Sequence, residues 1–325
     1  MSKIIGIGNA LTDILLQVDS KSILEQLNLP SGSMQLVDEA KQQEISLAVK
    51  EKQSVMATGG SAANTVNGVA RLGHKAAFIG KVGDDEVGKF YANDLEKNGV
   101  EPLLTISETP SGRCLVLILP DGERTMCTYL GAAATLESSE VNTQWFSNDD
   151  IFHIEGYLVQ SGNLLTEVAG LVQKINPRIS IDLASYNVVE ENLEIIHNFV
   201  EKFVDIVFAN EDEARAFSGK NNPLEALDFI ASMCKIAIVK TGKAGSYVKA
   251  NGKVYKIEGV EANCVDTTGA GDLYAAGFLY GLANDFDLEK CGKIGSLVAG
   301  NIVEVVGAKM EQTRWDKIKS QIEKL

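Results

Sequence analysis

Short apolar runs alternate with helix-length segments along this chain. That alternation is the pattern of a largely parallel sheet covered by helices on both faces. The runs are residues 3–8, 76–81, 151–153, 179–183, 205–209 and 236–240. Helical spacing marks 61–72, 211–217, 224–233, 268–282, 288–305 and 313–323, with Gly73 closing the first and Asp287 as the N-cap of the fifth. The 325 residues hold no low-complexity stretch or long linker. The expectation is therefore one doubly wound α/β domain over residues 1–325 with a smaller appendage.

Two segments break the alternation. Residues 113–120 and 123–130 flank Asp121-Gly122, a strong hairpin signal, and 14–18 and 34–37 read as further short strands. They predict a small β-sheet, from about 10–38 and 105–130, standing off the main fold. Such a sheet can act as a lid that keeps water from a transferring group. It can equally be a subunit interface, so a monomer and a homodimer both stay open. Asn251-Gly252 marks a second hairpin, at the rim of the main sheet.

The 30 basic and 44 acidic residues leave a net charge of −14, which argues against nucleic acid or an anionic membrane as partner. The first residues reach Asp13 without a long apolar core, and no later run is long enough for a membrane span. Five scattered cysteines without a Cys-x-x-Cys pair read as reduced thiols, so the expected location is cytoplasmic. His74, His153 and His197 stand too far apart to suggest a zinc site.

Chemistry concentrates in Asp266-Thr-Thr-Gly-Ala-Gly-Asp272, which runs into a helical segment. The small residues Gly269, Ala270 and Gly271 let backbone N–H groups approach a ligand at a helix N-terminus, where phosphate oxygens are favoured. An Asp at that place competes with the anion unless it takes a proton from a hydroxyl, the role expected of Asp272. A structural corner capped by Asp272 is the alternative for the motif taken alone.

Gly59-Gly60-Ser61 and Asn64 open another helix, where a polar ligand can sit close to the backbone. Asn9 and Asp13 follow the first strand, at the strand ends where α/β ligands collect, and Asp13 can accept from two neighbouring sugar hydroxyls. Asn210 and Glu213 can orient water on Mg²⁺, whereas Glu211 and Asp212 between them read as an acidic first helical turn favoured by the helix dipole. Thr241, Gly242 and Gly245 offer a hydroxyl and backbone donors to phosphates. The segment is no Walker A loop, because Ala244 stands where Ser or Thr should follow Lys243. Gly6-Ile-Gly8-Asn-Ala-Leu11 lacks the third glycine of a dinucleotide fingerprint, which disfavours a dehydrogenase.

These motifs together resemble the ribokinase-like (PfkB) family of carbohydrate and nucleoside kinases over essentially the whole length. Gly59-Gly60 through Gly73 is similar to its first signature and Asp266–Asp272 to its second. Segments 8–13, 154–157, 208–214 and 299–303 resemble adenosine-kinase-like members. The resemblance implies a ribokinase-like fold with a β lid. It implies Asp272 as the base and the N–H groups of Gly269, Ala270 and Gly271 as the anion hole. Asp13, Gly60 and Asn64 would hold the sugar. ATP would meet Asn210, Thr241, Gly242, Gly245 and Asn301, with Mg²⁺ managed through Asn210 and Glu213. Asp266 and Thr268 match positions that hold K⁺ in potassium-activated relatives. Ser61 stands where ribokinases often carry a lysine. Arg124, on the lid hairpin, can reach a phosphate or stay solvated. The expected activity is ATP- and Mg²⁺-dependent phosphorylation of a primary hydroxyl, with a purine ribonucleoside as acceptor. A fructokinase- or ribokinase-like sugar kinase and a non-catalytic nucleotide- or sugar-binding protein are the rivals.

Overall fold

The computed structural model describes residues 2–120 and 122–325, so Asp121 of the expected hairpin turn lies outside the described residues. The strands in chain order are β1 (Ile4–Ile7), β2 (Leu11–Gln17), β3 (Met34–Leu36), β4 (Ser54–Gly59), β5 (Ala76–Gly83), β6 (Val100–Ser107) and β7 (Gly112–Ile118). They continue as β8 (Arg124–Tyr129), β9 (Ile151–Glu155), β10 (Arg178–Asp182), β11 (Ile206–Asn210), β12 (Ile236–Lys240), β13 (Ser246–Ala250) and β14 (Lys253–Ile257).

Nine of them form the main sheet, in the order β14-β13-β12-β11-β10-β9-β1-β5-β6. The seven strands from β12 to β6 are parallel, and the hairpin β13–β14 closes one edge antiparallel. Their side chains alternate between two cores. Ile4, Phe78, Phe208 and Ile238 pack on one face, while Ile5, Ile79, Val207 and Val239 pack on the other. Strands buried on both faces must be apolar throughout, which is why these runs stand out in the sequence. Helices Ser61–Leu72, Ala270–Ala283 and Leu288–Ile302 cover the first face. Helices Leu164–Val172, Leu193–Phe203, Glu211–Ser218 and Pro223–Ile230 cover the second.

The edge strand β6 carries Glu101 and Pro102, so no apolar run announces it; an edge tolerates the proline that a central strand would not. The expected helix 268–282 begins only at Ala270, because Gly269 takes a left-handed φ of +75°. A side chain at 269 would also lie 2.7 Å from the Ala308 Cβ.

The second sheet runs β3-β8-β7-β2-β4. It takes in β4, outside the 10–38 and 105–130 segments, where Ser54, Val55 and Met56 are exposed and no alternation marks a strand. Leu16, Leu115, Leu117 and Cys127 pack on one side of this sheet with Leu24 and Ile45 of two short helices. Leu11, Asp13, Met34, Leu36, Met126 and Thr128 face the other way, into the cleft above the main sheet.

Chain order reverses at β1, which leads to β5 and β6 on one side while β9 through β12 build the other. The carboxyl ends of β1 and β9 therefore open a crevice, the favoured ligand position of doubly wound sheets. Among the described residues no helix is long and apolar enough to cross a membrane. The five cysteines are unpaired.

Candidate active site

A cleft of about 1350 Å³ lies between the two sheets and extends along the carboxyl ends of β9 to β12. Each parallel strand there ends on a polar residue: Glu155 on β9, Asp182 on β10, Asn210 on β11 and Lys240 on β12. Asp182 stands beside Glu155 in register, and Asn210 beside Lys240.

The Gly269–Gly271 turn meets this row from the opposite wall, and all three of its residues line the cleft. The Ala270 N–H already donates to the Thr267 carbonyl at 3.1 Å. Asp272 sits in the first turn of its helix, with each carboxylate oxygen taken by a residue from the start of the Ser61 helix. Ser61 Oγ donates to Oδ1 at 2.7 Å, and Asn64 Nδ2 donates to Oδ2 at 2.9 Å. Both residues line the cleft, but here they hold Asp272. Desolvation raises the Asp272 carboxyl to about 6, against the lowering effect of the Asn64 and Ser61 hydrogen bonds.

The paired glycines have separate steric reasons. A Cβ at Gly59 would lie 2.7 Å from the Asp13 carboxylate, and one at Gly60, where φ is +95°, would lie 2.4 Å from the Asn9 carbonyl oxygen. Asp13 projects from β2 into the cleft, and burial raises its carboxyl to about 6 despite Lys309 and Arg124 nearby. Asn9 is buried, and its Nδ2 donates to Glu155 Oε1 at 2.9 Å. The other oxygen of Glu155 accepts from the Ala62 N–H at 3.2 Å, so this carboxylate ties the end of β1 to the Ser61 helix. Burial pushes Glu155 up to about 7.

At the donor end, Lys240 Nζ donates to Asp182 Oδ2 at 2.7 Å. Burial works against the lysine's charge, but Asp182 and Glu213 together hold its pKa above the usual value. Asn210 and Glu213 form a reciprocal helix cap, the Asn210 N–H donating to Glu213 Oε2 at 2.8 Å and the Glu213 N–H to Asn210 Oδ1 at 2.8 Å, and Asn210 Nδ2 also donates to Glu213 Oε1 at 2.6 Å. Burial and then the neighbouring Asp182 push Glu213 upward. Gly242 and Gly245 line the cleft, with Gly245 at φ +101°. Thr241 closes their turn, its N–H donating to the Gly245 carbonyl at 2.8 Å. Val260, Ala262, Ala299, Gly300 and Val303 form an apolar slot beyond. Asn301 is buried beside that slot, its Nδ2 donating to the Leu297 carbonyl at 2.9 Å.

Arg124 is brought to Asp266, with NH1 at 2.8 Å from Oδ2. The same carboxylate accepts from the Gly307 N–H at 2.7 Å, and from Thr268 N–H and Oγ1 at 3.0 and 2.8 Å. Against the cost of burial, these bonds and the guanidinium hold Asp266 below the usual carboxylate range. Glu155, Asp182 and Lys240 escape a motif-by-motif reading of the sequence. Their signal is positional: each is a charged residue at the carboxyl end of a parallel strand.

Residues 32–314 match the pfkB family carbohydrate kinases, and the chain belongs to that family. It is similar to the crystal structure of an adenosine kinase from Sinorhizobium meliloti, with 32% identity, a TM-score of 0.86, and coverage of 98% of this chain and 99% of that one. A probable sugar kinase protein from Rhizobium etli is 31% identical, with a TM-score of 0.86 and coverage of 98% of each chain. The 5-dehydro-2-deoxygluconokinase of Bacillus subtilis is 28% identical over 260 residues, 75% of this chain and 80% of that protein. The ribokinase-like fold and kinase class expected from the sequence thus hold.

The raised carboxyls have a measurable consequence. Asp272 and Asp13 both titrate near 6 from above the ordinary Asp value, so both gain protons as the pH falls through that region. A protonated Asp272 cannot take the proton of a hydroxyl, and a protonated Asp13 loses its charge. A plot of kcat/KM from about pH 8 down to about pH 5 should stay flat and then fall near 6, with a slope steeper than one proton. A flat profile through about pH 5 would exclude both carboxylates as acceptors.

Proposed function

We propose that this kinase transfers the γ-phosphoryl group of ATP to the 5′-hydroxyl of a purine ribonucleoside. The observation carrying the acceptor class is the lining of the cleft beyond Asp13. Met34, Leu36, Met126 and Leu130 supply a broad apolar wall there, and Met34 and Leu36 are 53% and 60% exposed. Exposed large apolar side chains grouped at a cleft suit the flat face of a base. Among the described residues the lysines and arginines lining the cleft are Lys240 and Lys243, both at the donor end. The cations nearest Asp13, Arg124 and Lys309, are already paired with Asp266 and Asp94 and do not line the cleft, which favours a neutral acceptor over sugar acids and sugar phosphates.

In this reading Asp13 accepts from the two ribose hydroxyls, and Asn9, Gly59, Gly60 and Asn64 shape the surrounding pocket. The second sheet serves as the lid that excludes water. Asp272 receives the hydroxyl proton as the phosphoryl group passes the Gly269–Gly271 donors. Gly242 and Gly245 border the phosphates of ATP, and the apolar slot beside Asn301 takes its adenine. Asn210 and Glu213 would hold, through water, the Mg²⁺ that accompanies ATP and offsets phosphate charge. Among the described residues no three acidic, cysteine or histidine side chains cluster to hold a metal by themselves, which suits an ion bound largely by nucleotide oxygens and water. A K⁺ ion at Asp266 and Thr268 would have to share the carboxylate with Arg124.

An ADP-release screen against nucleosides and free sugars tests the acceptor. Adenosine, guanosine or inosine should exceed ribose and fructose in kcat/KM by at least about tenfold, or ~1.4 kcal/mol of transition-state binding from the base. Efficient turnover of fructose or ribose without turnover of any nucleoside would replace the nucleoside reading with the sugar-kinase one. Binding without ADP release from any acceptor would support the non-catalytic alternative.

A further inference from the structure

We propose that Lys240 is a catalytic residue of the phosphoryl transfer, its ammonium contacting the phosphoryl oxygens at the Gly269–Gly271 turn, with Asp182 as its resting partner. The inference rests on reading that turn as the transfer site; it does not depend on which acceptor is used.

Lys240 and Asp182 end β12 and β10, with β11 between them, so the pair spans the floor of the cleft. Their side chains are 13% and 8% exposed, and Nζ lies 2.7 Å from Oδ2. Stability alone gives a weak account of such a pair, because replacing a buried ion pair with well-packed apolar groups is often neutral or favourable. Position gives a better one. A Cβ built on Gly271 would stand 3.1 Å from Lys240 Nζ, so the ammonium lies against the glycine turn with no side chain between them. Asp182 accepts one of the ammonium's N–H groups, and an ammonium has others to offer a ligand.

Charge leads to the same conclusion. Asp182, Glu213 and Asp272 all line this part of the cleft and repel a polyphosphate. Lys243, the other lysine along the wall, is exposed on the turn after β12. Lys240 is the cation set where negative charge must be received. During transfer the acceptor oxygen bonds to the γ-phosphorus as the bond from that phosphorus to the bridging oxygen of ADP breaks. The hydroxyl proton passes to Asp272, and the bond pair leaves with ADP. Lys240 keeps its protons throughout and contributes charge and hydrogen bonds.

The test compares Lys240→Met, Asp182→Asn/Lys240→Met and Lys240→Ala with the wild type, reading kcat, ATP KM and thermal midpoint. Lys240→Met should lower kcat by at least about 100-fold, the scale of losing one preorganised charge-stabilising donor. Its midpoint should fall, because Asp182 is left unpaired. The double variant removes that stranded charge, so its midpoint should recover while kcat stays low. Ethylammonium should restore part of the kcat of Lys240→Ala and do nothing for Asp272→Asn. A Lys240→Met protein with near-normal kcat overturns the proposal. So does a double variant that recovers kcat together with its midpoint, since Lys240 would then be only the counter-ion of Asp182. A wild type that releases no ADP with any acceptor overturns the kinase reading itself, whereas an active wild type with an active double variant overturns this inference alone.

Discussion

Replacing Asp272 with Asn should lower kcat by roughly 10²–10⁴, the range for losing a positioned general base, while ATP binding survives. The geometry makes this a clean substitution. Asp272 accepts from Ser61 on one oxygen and from Asn64 on the other. An amide can keep its oxygen toward Asn64 and turn its NH₂ toward the Ser61 hydroxyl, which can accept as well as donate. What it cannot do is take a proton. Folding should not suffer. The Asp272 carboxyl is raised in the folded protein to about 6 from 3.8, so the native state holds its proton more tightly than the unfolded chain does. Wild-type stability contributed by this group therefore falls as the pH rises from the unfolded value through about 6. The variant lacks that loss, and at about pH 8 its thermal midpoint should equal or exceed the wild type's. A variant that is both inactive and clearly less stable would point to a structural role for Asp272. One with near-normal kcat would remove Asp272 from the chemistry.

The same residue shows what a linear sequence reveals and what it hides. The glycine turn, the Asp after it and the apolar strands before it are local features, fixed by sterics and periodicity over a few residues, and they are legible. The partners of Asp272 are not. Ser61 and Asn64 lie 211 and 208 residues away, and no local pattern says that the start of one helix will meet the start of another. Lys240 and Asp182 are 58 residues apart and meet only because β11 comes to lie between their strands. Arg124 reads from sequence as a hairpin residue that can reach a phosphate or stay solvated, yet its guanidinium is joined to Asp266 in the loop before the Ala270 helix. β4 and β6 escape for a different reason. A strand at the rim of a sheet tolerates exposed or proline residues, so burial does not write its alternation into the sequence. Strand existence was thus clearest where both faces are covered, and side-chain pairing was hidden wherever topology decides it.

Changing Asp13 to Ala should raise the acceptor KM on the order of 10²-fold or more and leave the ATP KM nearly unchanged. Hydrogen bonds to a charged group contribute about 1.5–3 kcal/mol each, and two bonds are at stake. The carboxylate is packed against Gly59, where a Cβ would lie 2.7 Å away, so it is held in place before the acceptor arrives. Its carboxyl is raised to about 6 by burial, which means that near neutral pH the free protein carries a costly charge in the cleft. Loss of that charge should not destabilise the fold, so a KM effect can be read as recognition. A second acceptor sharpens the reading. With wild-type protein, 2′-deoxyadenosine should be a poorer acceptor than adenosine, because one hydroxyl on Asp13 is missing. In Asp13→Ala the two should become nearly equal, since the carboxylate that distinguishes them is gone. If the deoxy penalty persists undiminished, the ribose hydroxyls are held elsewhere. If ATP and acceptor KM rise together, Asp13 supports the shape of the cleft and does not touch the sugar.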